Sequence, residues 1–278
     1  MLQRLILSFI TIFSFALYES QIFPTQRLEQ FTLEKIEQNY KNDTLFLRIE
    51  NPLFCPLRFR VFSNYLKDEN IIDDTLKVTI KEKSFAEFKI FAKDIDVNKV
   101  NFRFDGLLGD ESRKIMSTNL ALPFVKGKRY LIMQGQKGNL SHNDNYSRYA
   151  IDFSMPVGET VVAADDGYVV GVIKDYEFGG NDRKWIPYAN FITIYHPESG
   201  LFTQYVHLKH NGSSVKVGDA VKKNQPIGLS GITGYTTAAH LHFNVLVPKK
   251  GKSLVSVPFV FEKNIKGEDL RENMSVKK

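Results

Sequence analysis

Cysteine is nearly absent from this sequence, since the 278 residues include one, Cys55. A single cysteine cannot form a disulfide within the chain, and Leu53, Phe54 and Leu57 around it are apolar. A cysteine in such surroundings is typically a buried small side chain. The sequence therefore argues against an internal disulfide and against a thiol nucleophile.

Concentrated positive charge is also missing, although the chain is basic. The 37 lysines and arginines exceed the 31 aspartates and glutamates, for a formal net charge of +6. These charges are spread along the chain without a Lys/Arg block or interleaved aromatic residues, whereas nucleic-acid-binding surfaces usually cluster them. We therefore expect no nucleic-acid partner, and a surface that favours other anionic polymers.

An apolar run long enough to cross a bilayer is missing too. The run at residues 5–17 is broken only by Ser and Thr, but it is shorter than the roughly 20 residues that span a membrane. It follows a short positive segment at residues 1–4 and precedes a small-residue exit at residues 18–20, an order typical of secretory signal peptides. We expect residues 1–20 to be a signal peptide and the protein to be exported, to the periplasm or the extracellular space. An uncleaved membrane anchor is the alternative.

Short alternating segments fill the first half of the chain. Polar and apolar residues take turns at residues 44–49, 57–62, 76–80, 85–91 and 100–104. This alternation indicates strands with one buried face, and turn-rich separators roughly every ten to fifteen residues are typical of an antiparallel sandwich. We predict an immunoglobulin-like β-sandwich accessory domain over residues 24–125, which docks the protein or shields the groove of its neighbour.

The second half lacks a helical period of useful length and contains all six histidines. Apolar runs at residues 160–164, 168–173, 191–195 and 202–206 predict further short strands. The chain is therefore predicted to be all-β, with a second domain over residues 130–250. The C-terminal extension at residues 251–278 has a charged end and is predicted to fray.

Two of the histidines, His240 and His242, alternate with Leu241 and Phe243. Residues two apart on a strand point to the same face, so the two imidazoles would project side by side while their apolar neighbours enter the core. Imidazole nitrogens at a fixed separation are suitable metal ligands. This pair alone is only suggestive of a metal site.

Two further polar residues strengthen the metal hypothesis. His207 follows a predicted strand in the sequence Tyr-Val-His-Leu, and Asp152 lies between apolar neighbours in Tyr-Ala-Ile-Asp-Phe. A carboxylate with such neighbours is costly to bury unless it meets a cation. We therefore consider these two residues together with the histidine pair.

The motifs around these residues resemble those of the lysostaphin/LytM-type zinc endopeptidases, in the family's order. They are Asp152 with the following turn at 158–167, Y-x-H-L at 205–208, a hairpin at 215–228, G-x-T-G at 231–234 and H-L-H-F at 240–243. The resemblance covers about residues 130–247 and leaves out the N-terminal half. It implies a LytM-type antiparallel β-sheet/barrel-sandwich domain, one zinc ion and hydrolysis of peptide bonds in peptidoglycan.

The same resemblance implies a role for each site residue. Asp152 and His242 would bind zinc, whereas His207 and His240 would be the catalytic imidazoles. We assign His240 as the base, because its neighbour on the strand holds the metal. A catalytic zinc usually has three protein ligands and one open position, so a further ligand is required.

The third ligand is where this sequence departs from the family. The family usually has a histidine four residues before the aspartate, but Arg148 stands there and a guanidinium cannot coordinate zinc. The nearest histidine upstream is His142, separated from Asp152 by nine residues, and loops tolerate such insertions. We predict His142 as the ligand, with Asp144 as a substitute, or no metal at all, as the alternatives.

A second function class remains open on the sequence. A degenerate domain of this type would bind peptidoglycan or regulate another wall hydrolase without cutting. Such domains usually lose several site residues together, whereas Asp152, His207, His240 and His242 are all present. The enzyme is therefore the favoured hypothesis. Trp185 and Tyr188, in an inserted loop, are expected to form a groove wall or to cover a sheet edge.

Overall fold

The computed structural model describes residues 23–24, 26–32, 36–73 and 75–278. The predicted signal peptide at residues 1–20 lies outside these ranges. Within them the chain is mostly β, as predicted. No helix among the described residues is both long enough and apolar enough to cross a membrane.

Two antiparallel sheets of three strands each make up most of the first half, with strand orders β1-β2-β5 and β4-β3-β6. The strands predicted at residues 57–62 and 85–91 occur at those residues. The strand predicted at residues 100–104 begins and ends later than predicted. An immunoglobulin-like assignment of this half stays a prediction. The strands are β1 (Ile36–Lys41), β2 (Thr44–Glu50), β3 (Leu57–Phe62), β4 (Thr75–Ile80), β5 (Phe85–Phe91), β6 (Arg103–Leu108) and β7 (Asn119–Leu120).

One sheet of nine strands organises the second half. Its main path is β16-β11-β13-β14-β19-β9-β8-β23, and β20 pairs with β19. The strands of this half are β8 (Arg129–Gln134), β9 (Ile151–Phe153), β10 (Thr160–Val162), β11 (Gly167–Ile173), β12 (Gly179–Gly180), β13 (Phe191–His196), β14 (Leu201–Val206), β15 (Leu208–Ser213), β16 (Ala220–Val221), β17 (Pro226–Ser230), β18 (Gly234–Tyr235), β19 (Leu241–Lys249), β20 (Lys252–Ser256), β21 (Val260–Phe261), β22 (Ile265–Lys266) and β23 (Ser275–Lys277).

Helical structure in the described part is limited to short segments. The helix α1 begins after Ser63, whose side-chain oxygen accepts a hydrogen bond from the backbone N–H of Leu66 and so caps the first turn. The segments are α1 (Asn64–Asp68) and the 3₁₀ turns Val97–Lys99, Arg183–Tyr188, Glu262–Asn264 and Gly267–Asp269.

The C-terminal segment does not fray, and that prediction was wrong. Strand β20 pairs with β19, and β23 pairs with β8 at the edge of the large sheet. Val276 on β23 is buried, and Lys278 Nζ donates to the backbone oxygen of Leu122 at 2.6 Å. Backbone pairing and several buried apolar side chains, which also include Leu254, Phe259, Phe261 and Leu270, therefore hold a segment whose composition is mainly polar.

The two halves share apolar contacts. One cluster of buried side chains lies within the second half and includes Phe153 and Phe243. A second cluster joins Phe59 of the first half to Phe202 and Leu246 of the second. Burial of apolar surface is the main favourable term in folding, so this shared cluster stabilises the packing of one half against the other.

Cys55 lies in the shared cluster and is fully buried. Burial raises the pKa of its thiol above the ordinary value. Both findings agree with the prediction of a buried small side chain and not of a nucleophile.

Candidate active site

Asp152 and His242 face each other across two adjacent strands. They are directly opposite in the antiparallel pairing of β9 with β19, and His242 Nδ1 lies 2.9 Å from Asp152 Oδ1. Both residues are buried, while Leu241 and Phe243 on either side of His242 are fully enclosed in the core. Strand alternation thus directs the imidazole to one face and its neighbours to the other.

His142 reaches this pair from the loop before β9. Its Nε2 atom lies 3.3 Å from Asp152 Oδ1 and 3.3 Å from His242 Nδ1. Its Nδ1 atom lies 2.8 Å from the backbone oxygen of Gly135. A carbonyl oxygen can only accept, so Nδ1 carries a hydrogen. Nε2 then offers a lone pair when the ring is neutral and donates to Asp152 Oδ1 when the ring is protonated.

The alternative ligand, Asp144, is engaged elsewhere. Its Oδ1 atom accepts hydrogen bonds from the backbone N–H groups of Tyr146 and Ser147 and from the Ser147 hydroxyl. The side chain of Arg148 is exposed, and its backbone oxygen accepts from Lys137 N at 2.6 Å. The loop therefore brings His142, and neither Asp144 nor Arg148, to the pair.

These three residues form a donor set that suits zinc. The candidate ligand atoms of His142, Asp152 and His242 all lie within 4.8 Å of one another. Two imidazole nitrogens and one carboxylate oxygen are a common protein ligand set of catalytic zinc sites, in which a fourth position stays open. An ionised carboxylate is costly to bury unless it meets a cation, which also favours a metal ion at this position.

The electrostatics of the cluster follow from burial and from close pairing. Burial alone would raise the pKa of Asp152, but hydrogen bonds from His142 and His242 and the proximity of His240 hold that pKa well below the ordinary value. Burial lowers the pKa of His242 and outweighs the opposite effect of Asp152. Burial would lower the pKa of His142 too, but Asp152 and the carbonyl of Gly135 raise it above its ordinary value. The carboxylate is therefore ionised at neutral pH.

Two more imidazoles lie beside the cluster. The ring centres of His207 and His240 are 4.5 Å apart, and His240 Nε2 lies 3.8 Å from Asp152 Oδ1. His207 Nδ1 lies 2.7 Å from the backbone oxygen of Thr233, and His240 Nδ1 lies 2.9 Å from that of Ala238. Both rings therefore carry hydrogen on Nδ1 when neutral, which leaves each Nε2 as a proton acceptor.

His207 has an unusual backbone conformation. Its φ angle is 64°, in the left-handed region that residues other than glycine seldom adopt. The residue lies between β14 and β15, where the chain changes direction. Burial, followed by the nearby His240 and His242, holds the pKa of His207 well below the ordinary value, so the ring is neutral at neutral pH. Strained backbone of this kind is common at functional sites.

A groove of about 1000 Å³ opens over these residues. Asp152, His207, His240 and His242 lie along it, as does Tyr235. The segment at residues 27–31 forms part of one wall and is held in place by two hydrogen bonds. They join Leu28 N to Tyr176 Oη at 2.6 Å and Val172 N to the backbone oxygen of Gln30 at 3.2 Å.

The inserted loop at residues 179–188 contributes to the groove through other residues than expected. Arg183, Ile186 and Pro187 line the groove. Trp185 is buried and packs edge-on against Phe23, so it supports the loop from behind.

The other two histidines lie outside the cluster. His196 is buried on β13, with Nδ1 2.8 Å from the backbone oxygen of Asp166 and Nε2 2.8 Å from Thr203 Oγ1. His210 is partly exposed, and its Nδ1 lies 3.5 Å from Glu177 Oε1. Neither histidine is among the described residues that line the groove.

Sequence inspection missed several groups that orient the site. Thr233 and Ala238 act through backbone oxygens, whose side chains give no signal of this role. Gln134 donates from Nε2 to Asp152 Oδ2 at 3.2 Å, but it lies 18 residues away along the chain. A pairing of β8 with β9 could have suggested the contact, since the two residues are opposite each other in it.

Part of this chain is similar to known peptidases. Residues 146–255 match the model of peptidase family M23. An uncharacterized metalloprotease of Buchnera aphidicola subsp. Baizongia pistaciae is 28% identical over 273 residues, which cover 88% of this chain and 68% of the relative. Lysostaphin of Staphylococcus staphylolyticus is 39% identical over 118 residues, covering 42% of this chain and 22% of the relative.

A third relative is the peptidoglycan DD-endopeptidase ShyB of Vibrio cholerae, 38% identical over 96 residues that cover 34% of this chain and 20% of the relative. The chain thus spans only about a fifth of lysostaphin and of ShyB. The resemblance predicted from the motifs is confirmed. Residues 146–255 therefore correspond to a peptidase family M23 domain.

Proposed function

We propose that the protein is a zinc metalloendopeptidase that hydrolyses peptide bonds in the stem peptides or cross-bridges of peptidoglycan. The main supporting observation is that three suitable ligand atoms of His142, Asp152 and His242 converge within 4.8 Å, beside two further imidazoles in one groove. One relative of this chain is a peptidoglycan DD-endopeptidase. Export, which such a substrate requires, rests on the signal-peptide pattern at residues 1–20.

Zinc would be held by His142 Nε2, Asp152 Oδ1 and His242 Nδ1. When bound, zinc polarises a carbonyl group and lowers the pKa of water, which makes water a nucleophile at neutral pH. The carbonyl of Gly135 fixes the required tautomer of His142. The low pKa of Asp152 keeps its carboxylate in the ligand form over the whole neutral range.

The remaining imidazoles handle protons. We assign His240 as the general base, because its Nε2 is unprotonated in the neutral ring and lies nearest the ligand carboxylate, at 3.8 Å from Oδ1. His207 lies across the same groove, and its lowered pKa means that it gives up a proton readily. An imidazole that has accepted a proton can then donate it to the leaving amine.

A domain that binds peptidoglycan without cutting it is the alternative. The geometry favours the enzyme, because five polar side chains face one site and none is replaced by an apolar residue. A binding surface has no need to bury an ionised carboxylate among four imidazoles. Removing that carboxylate from water would be costly without a metal ion.

Zinc content tests the proposal. We expect one zinc ion per chain in the purified protein, measured by mass spectrometry of the metal, and its loss in His242→Ala and His142→Ala. His210→Ala is the matched control, since this histidine is outside the cluster, and should retain the ion. A wild-type protein that cannot be loaded with zinc would leave only the binding function.

A further inference from the structure

Gln134 lies at the end of β8 and is buried against the candidate ligands. Its Nε2 donates to Asp152 Oδ2 at 3.2 Å and to Ser141 Oγ at 2.8 Å. Its Oε1 accepts from the backbone N–H groups of Leu140 at 3.1 Å and Ser141 at 3.4 Å. One buried amide side chain therefore makes four hydrogen bonds.

The contact with Asp152 sets the orientation of its carboxylate. Oδ1 faces the imidazoles of His142 and His242, and Oδ2 faces the amide of Gln134. A donor on the second oxygen opposes rotation of the carboxylate about its terminal bond. Groups that hydrogen-bond to a ligand in this way commonly tune metal affinity.

The other three hydrogen bonds hold the loop that precedes His142. Leu140 and Ser141 are the two residues before that histidine, and both are joined to the Gln134 side chain. His142 lies ten positions before Asp152, whereas the expected spacing between these two ligands is four positions. The path of this longer loop is not fixed by a strand. Gln134 supplies a fixed point at the place where the loop must turn the imidazole inward.

A neighbouring glycine makes room for this side chain. A Cβ atom on Gly138 would lie 2.4 Å from Gln134 Cγ and 2.8 Å from its Oε1. Cβ atoms essentially never approach other heavy atoms within 3.0 Å, so a larger residue at 138 would displace the Gln134 side chain. The close approach of Gly138 therefore belongs to the same arrangement.

From these contacts we propose that Gln134 is a positioning residue that fixes two ligands at once, the carboxylate of Asp152 and the loop carrying His142. The proposal rests on the proposed function, because it concerns the affinity of the zinc site. It predicts that removal of the amide weakens zinc binding even when the ligands themselves are unchanged.

The test compares zinc dissociation constants, measured by competition with a chelating dye, for wild type, Gln134→Met and Gln136→Met. The first substitution keeps the volume and removes the donor and acceptor. The second is the matched control, because the partly buried Gln136 amide has no hydrogen-bond partner among the residues that the structure describes. We expect Gln134→Met to weaken zinc binding by about 10–100-fold and Gln136→Met to leave it within about twofold of wild type.

The visible absorption spectrum of the Co²⁺-loaded proteins provides a readout of ligand geometry. We expect it to change in Gln134→Met and not in Gln136→Met, because only the first alters the carboxylate. Circular dichroism of the zinc-free proteins checks that each variant is folded. Should Gln134→Met not fold, two other variants take its place. Gly138→Ala displaces the amide without removing it, and Gln134→Asn shortens the side chain by one methylene. We expect both to weaken zinc binding.

Failure of the positioning role can be distinguished from failure of the proposed zinc site. Wild-type zinc affinity and an unchanged Co²⁺ spectrum in folded Gln134→Met, or in both replacement variants, would overturn the positioning role while the zinc site stands. A wild-type protein that binds no zinc at millimolar concentration would overturn the zinc site and with it the role of Gln134.

Discussion

His207 and His240 each donate one hydrogen bond from Nδ1 to a backbone carbonyl oxygen. The acceptor is that of Thr233 for His207 and that of Ala238 for His240. This arrangement fixes the tautomer and the ring orientation of both residues without any charged partner. Each Nε2 is consequently a defined proton acceptor in the groove. A structural histidine such as His196, by contrast, has partners on both nitrogens.

Removal of one proposed catalytic imidazole should separate chemistry from metal binding. We expect His240→Ala to retain one zinc ion, because this residue is not among the three proposed ligands, and to lower hydrolysis of peptidoglycan by about 10²–10⁴-fold. The rate is measured as release of soluble peptide from purified wall. His210→Ala should keep the wild-type rate, and a His240→Ala variant with that rate would remove His240 from the mechanism.

Buried histidines make the zinc-free protein sensitive to acid. The pKa values of His196, His207 and His242 are lowered, mainly by burial, so below about pH 6.5 the unfolded state binds more protons at these sites than the folded state. Stability therefore falls as pH falls, by up to about 1.4 kcal/mol per pH unit for each group. The raised pKa of His142 stabilises the folded state as pH falls, and so it offsets the effect of one of these three histidines.

Urea unfolding of the zinc-free protein at pH 7.5, 6.5 and 5.5 measures this dependence. His196→Gln, which removes one of the buried groups at a distance from the groove, should give a shallower decline. A free energy of unfolding that stays constant or rises between pH 6.5 and 5.5 would contradict the assigned directions.

Most of the site was predictable at the level of single residues, for a simple physical reason. His240 and His242 show their shared face through a spacing of two on a strand, and Asp152 shows its burial through apolar neighbours. The placement of His142 depended on the path of a loop, so the sequence left Asp144 open. Gln134 could not be found, because its partners are distant along the chain and a lone glutamine has no characteristic spacing.

At the level of elements, alternation of polar and apolar residues located the strands well. Strands β3 and β5 match the predicted residues, because alternate residues of each pack on a core. The other face of β5 is exposed, whereas the other face of β3 carries exposed Arg60 and buried Arg58. Strand β6 lies at Arg103–Leu108 and not at 100–104. Val100, the first residue of the predicted segment, instead caps the 3₁₀ turn at Val97–Lys99 and donates its backbone N–H to the oxygen of Val97. Strand β23 was missed, since three residues with one apolar side chain give almost no periodic signal.

Strand β23 should contribute measurably to stability. Truncation after Asn273 removes its pairing with β8 and the buried side chain of Val276. We expect the free energy of unfolding to fall by at least about 1.5–3 kcal/mol, the value of burying one such side chain. Chemical denaturation measures the change. Lys277→Ala, an exposed position on the same strand, should have little effect, and an unchanged stability of the truncated protein would show that the strand is dispensable.

At the level of the whole molecule, Arg58 links the two halves. Its buried guanidinium donates from Nη1 to the backbone oxygen of Lys249 at 3.0 Å and from Nε to that of Gly109 at 3.1 Å. It also forms an ion pair with Glu111 at 2.8 Å. Together with the shared apolar cluster, these contacts should make the halves unfold as one unit.

Replacement of this arginine tests the coupling. We expect Arg58→Leu to lower the free energy of unfolding by about 1.5–3 kcal/mol, because carbonyl oxygens lose a charged donor. Arg60→Leu, two residues along the same strand and exposed, is the matched control and should change stability by less than about 1 kcal/mol. Wild-type calorimetry should give one transition, whereas two separate transitions in the wild type would show that the halves are independent.

Mass spectrometry of a digest of purified peptidoglycan tests the proposed enzyme most directly. With zinc-loaded wild-type protein, we predict new fragments that end at a peptide bond of a stem or a cross-bridge, absent after chelation of the metal and restored by added zinc. Intact peptides after incubation with protein that has been shown to hold one zinc ion would contradict the proposal.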